Sequence, residues 1–166
     1  MRRAIIGGAL LMAAAVTSAL LGDAVPQPTS TEPEPPIRHF EDTADHVRIV
    51  AVNRGSGSND DRAVVVVTID PGYHINANPA SMAYLIPTTL NVTKPTPLRV
   101  VYPEMVRFKP KFSEDVLDVY EGTIHIIAEF PKGVLASEHP LFGTLIAQAC
   151  TEEYCLPPAE IALPGG

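Results

Sequence analysis

The chain has 166 residues, which is enough for one domain of ordinary size but not for two. It is 46% hydrophobic, so a substantial core can form, and its 11 Gly, 17 Pro and lack of Trp favour strands and turns over long helices. The formal net charge of −7 argues against a nucleic-acid-binding surface.

The N-terminus has the features of an export signal. Arg2 and Arg3 provide a positive start, and residues 4–21 form an uncharged, mostly apolar stretch. We predict a signal peptide over residues 1–24, with an uncleaved membrane anchor as the alternative, because the stretch approaches the minimum length of a membrane span. Residues 25–36 are rich in proline and predict an extended linker. The folded domain is expected over residues 37–166.

Beyond Phe40 the apolar residues recur with the period of two that is typical of β-strands. In residues 46–52, Val47, Ile49 and Ala51 form the predicted inner face of a half-buried strand. The β-branched run AVVVVTI at 63–69 predicts a strand in the interior of the domain. Residues 53–62 between them are rich in Gly, Asn and Asp, which predicts a hairpin loop.

Further strands are predicted in the second half of the chain, at 88–92, 98–101, 123–130, 143–149 and 160–163. In residues 123–130, the alternation places four apolar side chains on one face: Ile124, Ile126, Ala128 and Phe130. Residues 80–84 and 113–117 are the candidates for a helical turn. Short strands separated by Pro and Gly predict an all-β fold, an antiparallel β-sandwich.

The two cysteines lie close together in the segment QACTEEYCLPP, residues 148–158. An exported protein can hold such a pair as a structural disulfide. The ring that they close is small, however, and its entropic stabilisation is about 2 kcal/mol, against about 3 kcal/mol for a fifteen-residue loop. A domain of this size does not depend on so small a contribution. From the residues alone, a structural role and a redox role are equally open.

The residues around the pair affect its expected reactivity. Glu152 and Glu153 lie between the thiols, and negative charge disfavours a thiolate. No Lys, Arg or His occurs within ten residues of the pair in the sequence. We therefore expect the reduced pair to be a slow nucleophile until a partner changes its surroundings. Pro157 and Pro158 stiffen the segment that follows Cys155.

The cysteine segment resembles the N-terminal periplasmic domain of DsbD-type thiol:disulfide interchange proteins. Three other segments carry the same resemblance: GYHINANP at 72–79, YLIPTTLNV at 84–92 and KFSEDVLDVYEG at 111–122. The resemblance implies a periplasmic, immunoglobulin-like sandwich in which the cysteine pair lies at one end beneath a cap loop over residues 108–120. One departure from the family pattern is the spacing, because four residues separate the cysteines here instead of five.

The resemblance also implies roles for individual residues. Cys155 would be the nucleophile and Cys150 the resolving cysteine of a redox-active disulfide that needs no other cofactor. Electrons would come from a membrane thiol carrier and pass to thioredoxin-like periplasmic proteins, including disulfide isomerases and cytochrome c maturation factors. Because the sequence ends after the sandwich, that carrier is expected to be a separate protein. Two further groups are predicted, shielding residues (Phe112, Phe108, Tyr73 and His74) and partner-contacting residues (Tyr154, Leu156 and Pro157).

Two other classes of function stay open at this point. The thiols could bind copper(I) or zinc together with His74, His125 or His139, although the sequence offers no second close cluster of ligands. Alternatively, the domain could be a non-catalytic binding module or assembly chaperone with an inert disulfide. Acidic residues of the cap, Glu114, Asp115 and Asp118, could relay protons, but exposed loop carboxylates are usually only solvated.

Overall fold

The computed structural model describes residues 40–111, 114–135 and 140–164. The predicted signal peptide, the linker, Phe112 and His139 lie outside these ranges. The described residues form a short helix, α1 (Thr43–His46), and eleven strands: β1 (Val47–Ser56), β2 (Asp60–Ile69), β3 (His74–Asn76), β4 (Thr89–Lys94), β5 (Arg99–Val101), β6 (Val106–Phe108), β7 (Leu117–Tyr120), β8 (Thr123–Pro131), β9 (Phe142–Ala147), β10 (Ala149–Cys150) and β11 (Ala159–Ala162). No helix among them has the length and apolarity that a bilayer span requires.

The strands form three antiparallel sheets, which confirms the predicted all-β, immunoglobulin-like sandwich. The strand orders are β1-β2-β8-β5, β10-β3-β7-β6 and β11-β9-β4. The predicted strand at 143–149 is interrupted at Gln148 and serves two sheets, since β9 pairs with β4 and β11 whereas β10 pairs with β3. Cys150 therefore lies at the end of a segment that is hydrogen-bonded first into the sheet of β4 and β11 and then into the sheet of β3.

The core is one apolar cluster with contributions from all three sheets. β2 pairs with β1 on one side and β8 on the other, so its β-branched run lies in the middle of a sheet, as predicted. The inner faces of β2 and β8 are buried as the alternation predicts: Ala63, Val65, Val67 and Ile69, and Ile124, Ile126, Ala128 and Phe130. Hydrophobic burial of these faces is the main force that stabilises the frame around the cysteines.

The first hairpin differs from its prediction in two ways. Strands β1 and β2 extend into the predicted loop and leave only residues 57–59 as the turn. The polar end of the hairpin is stable because the buried Asp61 carboxylate accepts hydrogen bonds from Ser56 Oγ at 2.6 Å and from the Leu135 amide at 2.9 Å. In addition, a β-bulge between Ile49 and Ala51 reverses the alternation, so Val52 packs against the core in place of Ala51.

Several short elements were not predicted. β3, β6 and β7 have only three or four residues each, too few for a period to be seen. The proposed helical turns were wrong: residues 80–84 form bends and a turn, and Leu117 begins β7. The observed helix α1 starts instead at a capping box, in which the Asp42 and Asp45 carboxylates bond to backbone amides at the first turn.

Candidate functional site

The cysteines form the disulfide Cys150–Cys155 across a tight β-hairpin. The Leu156 amide donates to the Ala149 carbonyl at 2.8 Å, and the Thr151 amide donates to the Tyr154 carbonyl at 2.8 Å. The Thr151 hydroxyl accepts from the Glu153 and Tyr154 amides, both at 3.2 Å, which fixes the turn. The hairpin thus has backbone hydrogen bonds on both sides of the disulfide, and these do not depend on the sulfur–sulfur bond.

The two sulfur-bearing residues have different environments. Cys150, at the end of β10, is only 2% exposed, whereas Cys155, on the returning arm of the hairpin, is exposed. Their Cα atoms are 3.9 Å apart, so this contrast arises over a short distance. A partner approaching from solvent reaches the Cys155 side of the bond first.

Thr43 of helix α1 fastens the base of the hairpin. Its hydroxyl accepts a hydrogen bond from the Ala149 amide at 2.9 Å and donates one to the Pro157 carbonyl at 2.7 Å. The Thr43 amide also donates to the Pro157 carbonyl, at 3.2 Å. Thr43 is completely buried, so it joins both arms of the hairpin inside the protein. Thr43 was not predicted as a site residue, although the pattern DTAD at 42–45 resembles a helix start and could have indicated the helix that carries it.

His74 lies directly opposite Cys150 in the register between β3 and β10. Its side chain is buried, and its ring packs against Phe108 with 4.2 Å between the ring centroids. Burial lowers the pKa of His74 to about 4, so the ring is neutral at neutral pH. A cavity of about 680 Å³ opens beside these two rings and is bordered by Tyr73, Val106 and Glu152. Two predicted shielding residues, His74 and Phe108, are therefore brought together near Cys150.

Tyr73 connects the cysteine hairpin with the N-terminal helix. Its ring stacks on His46 with 3.8 Å between centroids, and its hydroxyl donates to the Glu41 carboxylate at 3.2 Å. His46 Nε2 approaches the same carboxylate at 2.6 Å. Burial, a hydrogen bond with Tyr154 and the charge of Glu41 raise the pKa of Tyr73 to about 12. Tyr73 therefore stays a neutral phenol that contacts the hairpin through Tyr154.

The segment between β6 and β7 reaches the tip of the hairpin, where the cap was expected. The Lys111 amide donates to the Glu152 carbonyl at 3.1 Å, and Lys111 Nζ lies 2.6 Å from the Glu152 carboxylate. This ion pair raises the pKa of Lys111. The expectation of unopposed negative charge was thus wrong, because a cation distant in sequence is adjacent in space. Phe112, the leading candidate for the shielding aromatic, lies outside the described residues.

The other predicted residues differ in their exposure to solvent. Tyr154 and Pro157 are exposed near the disulfide, whereas Leu156 is only 6% exposed and belongs to the core. Leu156 therefore offers little surface to a partner and instead holds the hairpin in the domain. Glu114, one of the proposed proton relays, is 97% exposed and pairs with Lys109, as expected for a solvated surface carboxylate.

The alternative of a metal site has no geometric support among the described residues. Within the described ranges, no three His, Cys, Asp or Glu side chains are grouped so that they could hold a metal ion. His74 is close to the pair, but His125 lies on the exposed face of β8.

Comparisons with known proteins give matches at the level of structure. No protein-family model matches the sequence, and no curated protein matches it. The N-terminal periplasmic domain of ScsB from Proteus mirabilis superposes with a TM-score of 0.50 at 18% identity, over 72% of this chain and 46% of that one. The reduced DsbD N-terminal domain of Neisseria meningitidis gives a TM-score of 0.42 at 17% identity, over 68% of this chain and 80% of that one.

The chain shares the fold of the N-terminal periplasmic domain of ScsB. The chain spans less than half the length of the ScsB domain that it matches. At 18% identity this likeness shows the fold alone, and the chemistry of this chain depends on its own cysteine hairpin.

Proposed function

We propose that this domain carries out thiol–disulfide exchange in the periplasm, passing electrons from a membrane thiol carrier to thioredoxin-like proteins through Cys150 and Cys155. In this proposal Cys155 is the sulfur that partners attack and that attacks partners, and Cys150 is the resolving cysteine. The disulfide is the only redox group that the reaction requires.

The unequal exposure of the two cysteines carries this proposal. Exchange proceeds by in-line attack of a thiolate on a disulfide sulfur, so the accessible sulfur determines where a mixed disulfide forms. Cys155 is exposed and Cys150 is 2% exposed. This contrast supports exchange at Cys155, because a partner can approach that residue from solvent whereas Cys150 is covered.

The anchoring of the hairpin also supports reversible chemistry. Backbone bonds on both sides of the disulfide and the Thr43 hydroxyl hold the two arms together. When the sulfur–sulfur bond opens, these contacts keep the thiols close, so that Cys150 can resolve a mixed disulfide within the same hairpin. Preorganisation of this kind converts the resolving step into an intramolecular reaction.

The proposed cycle has two halves. A thiolate of the reductant bonds to Cys155 Sγ, the Cys150–Cys155 bond breaks, and its electron pair stays on Cys150 as a thiolate. A second thiol of the reductant then attacks the mixed disulfide, which leaves both cysteines reduced and the reductant oxidised. In the other half, the Cys155 thiolate attacks the disulfide of an oxidised acceptor, and Cys150 displaces the acceptor as a dithiol. Two electrons and two protons pass from reductant to acceptor in each cycle.

Trapping experiments test the assigned roles. Cys150→Ala keeps the exposed thiol and removes the resolving one, so it should accumulate a mixed disulfide with an oxidised thioredoxin-like protein. Cys155→Ala is the matched variant, and it should form little adduct because its remaining thiol is buried. Equal trapping by both variants would contradict the assignment, and no trapping by either would contradict the exchange proposal itself.

The equilibrium reduction potential separates exchange from a structural staple. We expect a value within some tens of millivolts of about −270 mV, the range in which thioredoxin-like proteins can exchange electrons with it. A structural disulfide in an exported protein has a potential below about −300 mV. A potential in that lower range, measured against a glutathione or dithiothreitol buffer, would favour the inert binding module.

A further inference from the structure

The imidazole of His74 belongs to the strand position opposite the buried Cys150. His74 and Cys150 are direct partners in the antiparallel register between β3 and β10. Side chains at such positions project from the same face of a sheet, with Cβ atoms about 4.5–5.5 Å apart. The imidazole and the Cys150 side chain therefore lie on the same face of this sheet, at neighbouring positions.

The ring carries a polar atom whose presence there needs an explanation. His74 is 2% exposed, and its Nε2 has no hydrogen-bond partner among the described residues. Buried polar atoms are nearly always paired, because an unpaired one has lost its hydrogen bonds to water. Phe108 packs against the ring with 4.2 Å between the centroids. His74 Nε2 is therefore a candidate hydrogen-bond partner for a group that forms only when the disulfide reacts.

Reduction of the disulfide creates such a group. When a thiolate attacks the exposed Cys155 sulfur, the electron pair of the broken bond passes to Cys150, which becomes a buried anion. A buried thiolate without a hydrogen-bond donor is strongly disfavoured. Exchange is also faster when the leaving thiol has a lower pKa. The reaction proposed above therefore benefits from a donor at the Cys150 side of the bond.

We propose that His74 donates a hydrogen bond from Nε2–H to Cys150 Sγ once the disulfide opens, and that this bond stabilises the Cys150 thiolate as it leaves and as it later resolves the mixed disulfide. Its part in catalysis rests on the proposed exchange function. The donor is a neutral ring, so the proposal involves a hydrogen bond and no transfer of the ring proton. Lys111, a cation that contacts the hairpin tip, is paired with the Glu152 carboxylate.

The test measures the thiol pKa of Cys150 by itself. In the Cys155→Ala background, Cys150 is the only thiol, and its ionisation can be followed by thiolate absorbance and by the pH dependence of alkylation. Adding His74→Phe should raise the Cys150 pKa by about one to two units, the size expected for losing a hydrogen bond to a charged group. Adding His74→Gln, which restores an N–H donor, should recover part of the shift. His125→Gln removes an exposed histidine of β8 and should leave the titration unchanged.

Cys150 titration curves that coincide for the parent protein and for its His74→Phe and His74→Gln variants would overturn the proposal, provided that circular dichroism shows folded protein. If His74→Phe does not fold, the ¹⁵N signal of His74 Nε2 in the fully reduced wild-type protein decides the matter. It should shift as Cys150 ionises, and a constant signal would overturn the proposal. Both measurements use only the protein and a chemical reductant. A failure of partner exchange with the shift intact would therefore count against the exchange function and leave the hydrogen bond standing.

Discussion

Thr43 gives a quantitative test of how the cysteine hairpin is held. Thr43→Val keeps nearly the same shape but removes the hydroxyl that accepts from Ala149 and donates to Pro157. The Pro157 carbonyl keeps its bond from the Thr43 amide, whereas the buried Ala149 amide loses this partner. An unsatisfied buried donor costs about 1–3 kcal/mol, so we expect a loss of about 2 kcal/mol in the free energy of unfolding. With a urea m-value of about 2 kcal/mol per molar, the midpoint should fall by about 1 M.

Thr43→Ser is the matched control, since it keeps the hydroxyl and removes one methyl group, a loss of about 0.8 kcal/mol. Hydrophobicity alone ranks valine as the milder change, whereas the hydrogen-bond argument ranks serine as the milder one. Urea unfolding of the three oxidised proteins distinguishes the two rankings, and hydrogen exchange at the Ala149 amide shows whether the hairpin itself has loosened. A valine variant at least as stable as the serine variant would refute the anchoring role of the hydroxyl.

Two further predictions concern charge around the same hairpin. Burial lowers the pKa of His74 to about 4, so below about pH 6.5 the native state binds fewer protons than the unfolded state. Acidification from pH 7 to 5 should therefore lower the free energy of unfolding by about 2 kcal/mol through this group. Urea unfolding at both pH values checks this, and a His74→Phe variant with the same pH dependence as wild type would contradict it. Lys111→Met removes the cation that pairs with Glu152, so the negative charge of Glu152 should disfavour the thiolates of the reduced pair. Alkylation of the pair should slow by about twofold at low salt, and the difference from wild type should shrink at high salt. Lys109→Met, which removes the exposed partner of Glu114, should have no effect on that rate, and an equal effect would exclude a local role for Lys111.

The sequence was sufficient for the parts of the fold that hydrophobic periodicity controls. The long alternating runs in β2 and β8 predicted both the strands and their buried faces. The bulge after Ile49 was invisible, because an inserted residue leaves no mark in a pattern of consecutive apolar side chains. Strands of three residues, such as β3 and β6, depend on the strand beside them and have too little sequence of their own to be recognised.

The candidate site was predictable in its cysteines but not in the residues that surround them. The spacing of Cys150 and Cys155 and the glutamates between them could be read from one segment of sequence. Thr43 and Lys111 are distant along the chain, and only the fold brings them to the base and the tip of the hairpin. The pattern DTAD at 42–45 is typical of a helix start, but it does not indicate that Thr43 bonds to the remote Ala149 amide, and that contact requires the structure.

The contrast between the two arms of the hairpin has a consequence for partner recognition. The buried arm ends in Cys150, which faces His74 inside the protein, while the exposed arm presents Cys155 next to Tyr154 and Pro157. If exchange occurs as proposed, reductant and acceptor must both approach this exposed arm, because the opposite sulfur is covered. They would then compete for one surface, and binding of one would exclude the other. Electron transfer through the domain would therefore proceed by successive encounters, with no complex in which reductant, domain and acceptor are joined at once.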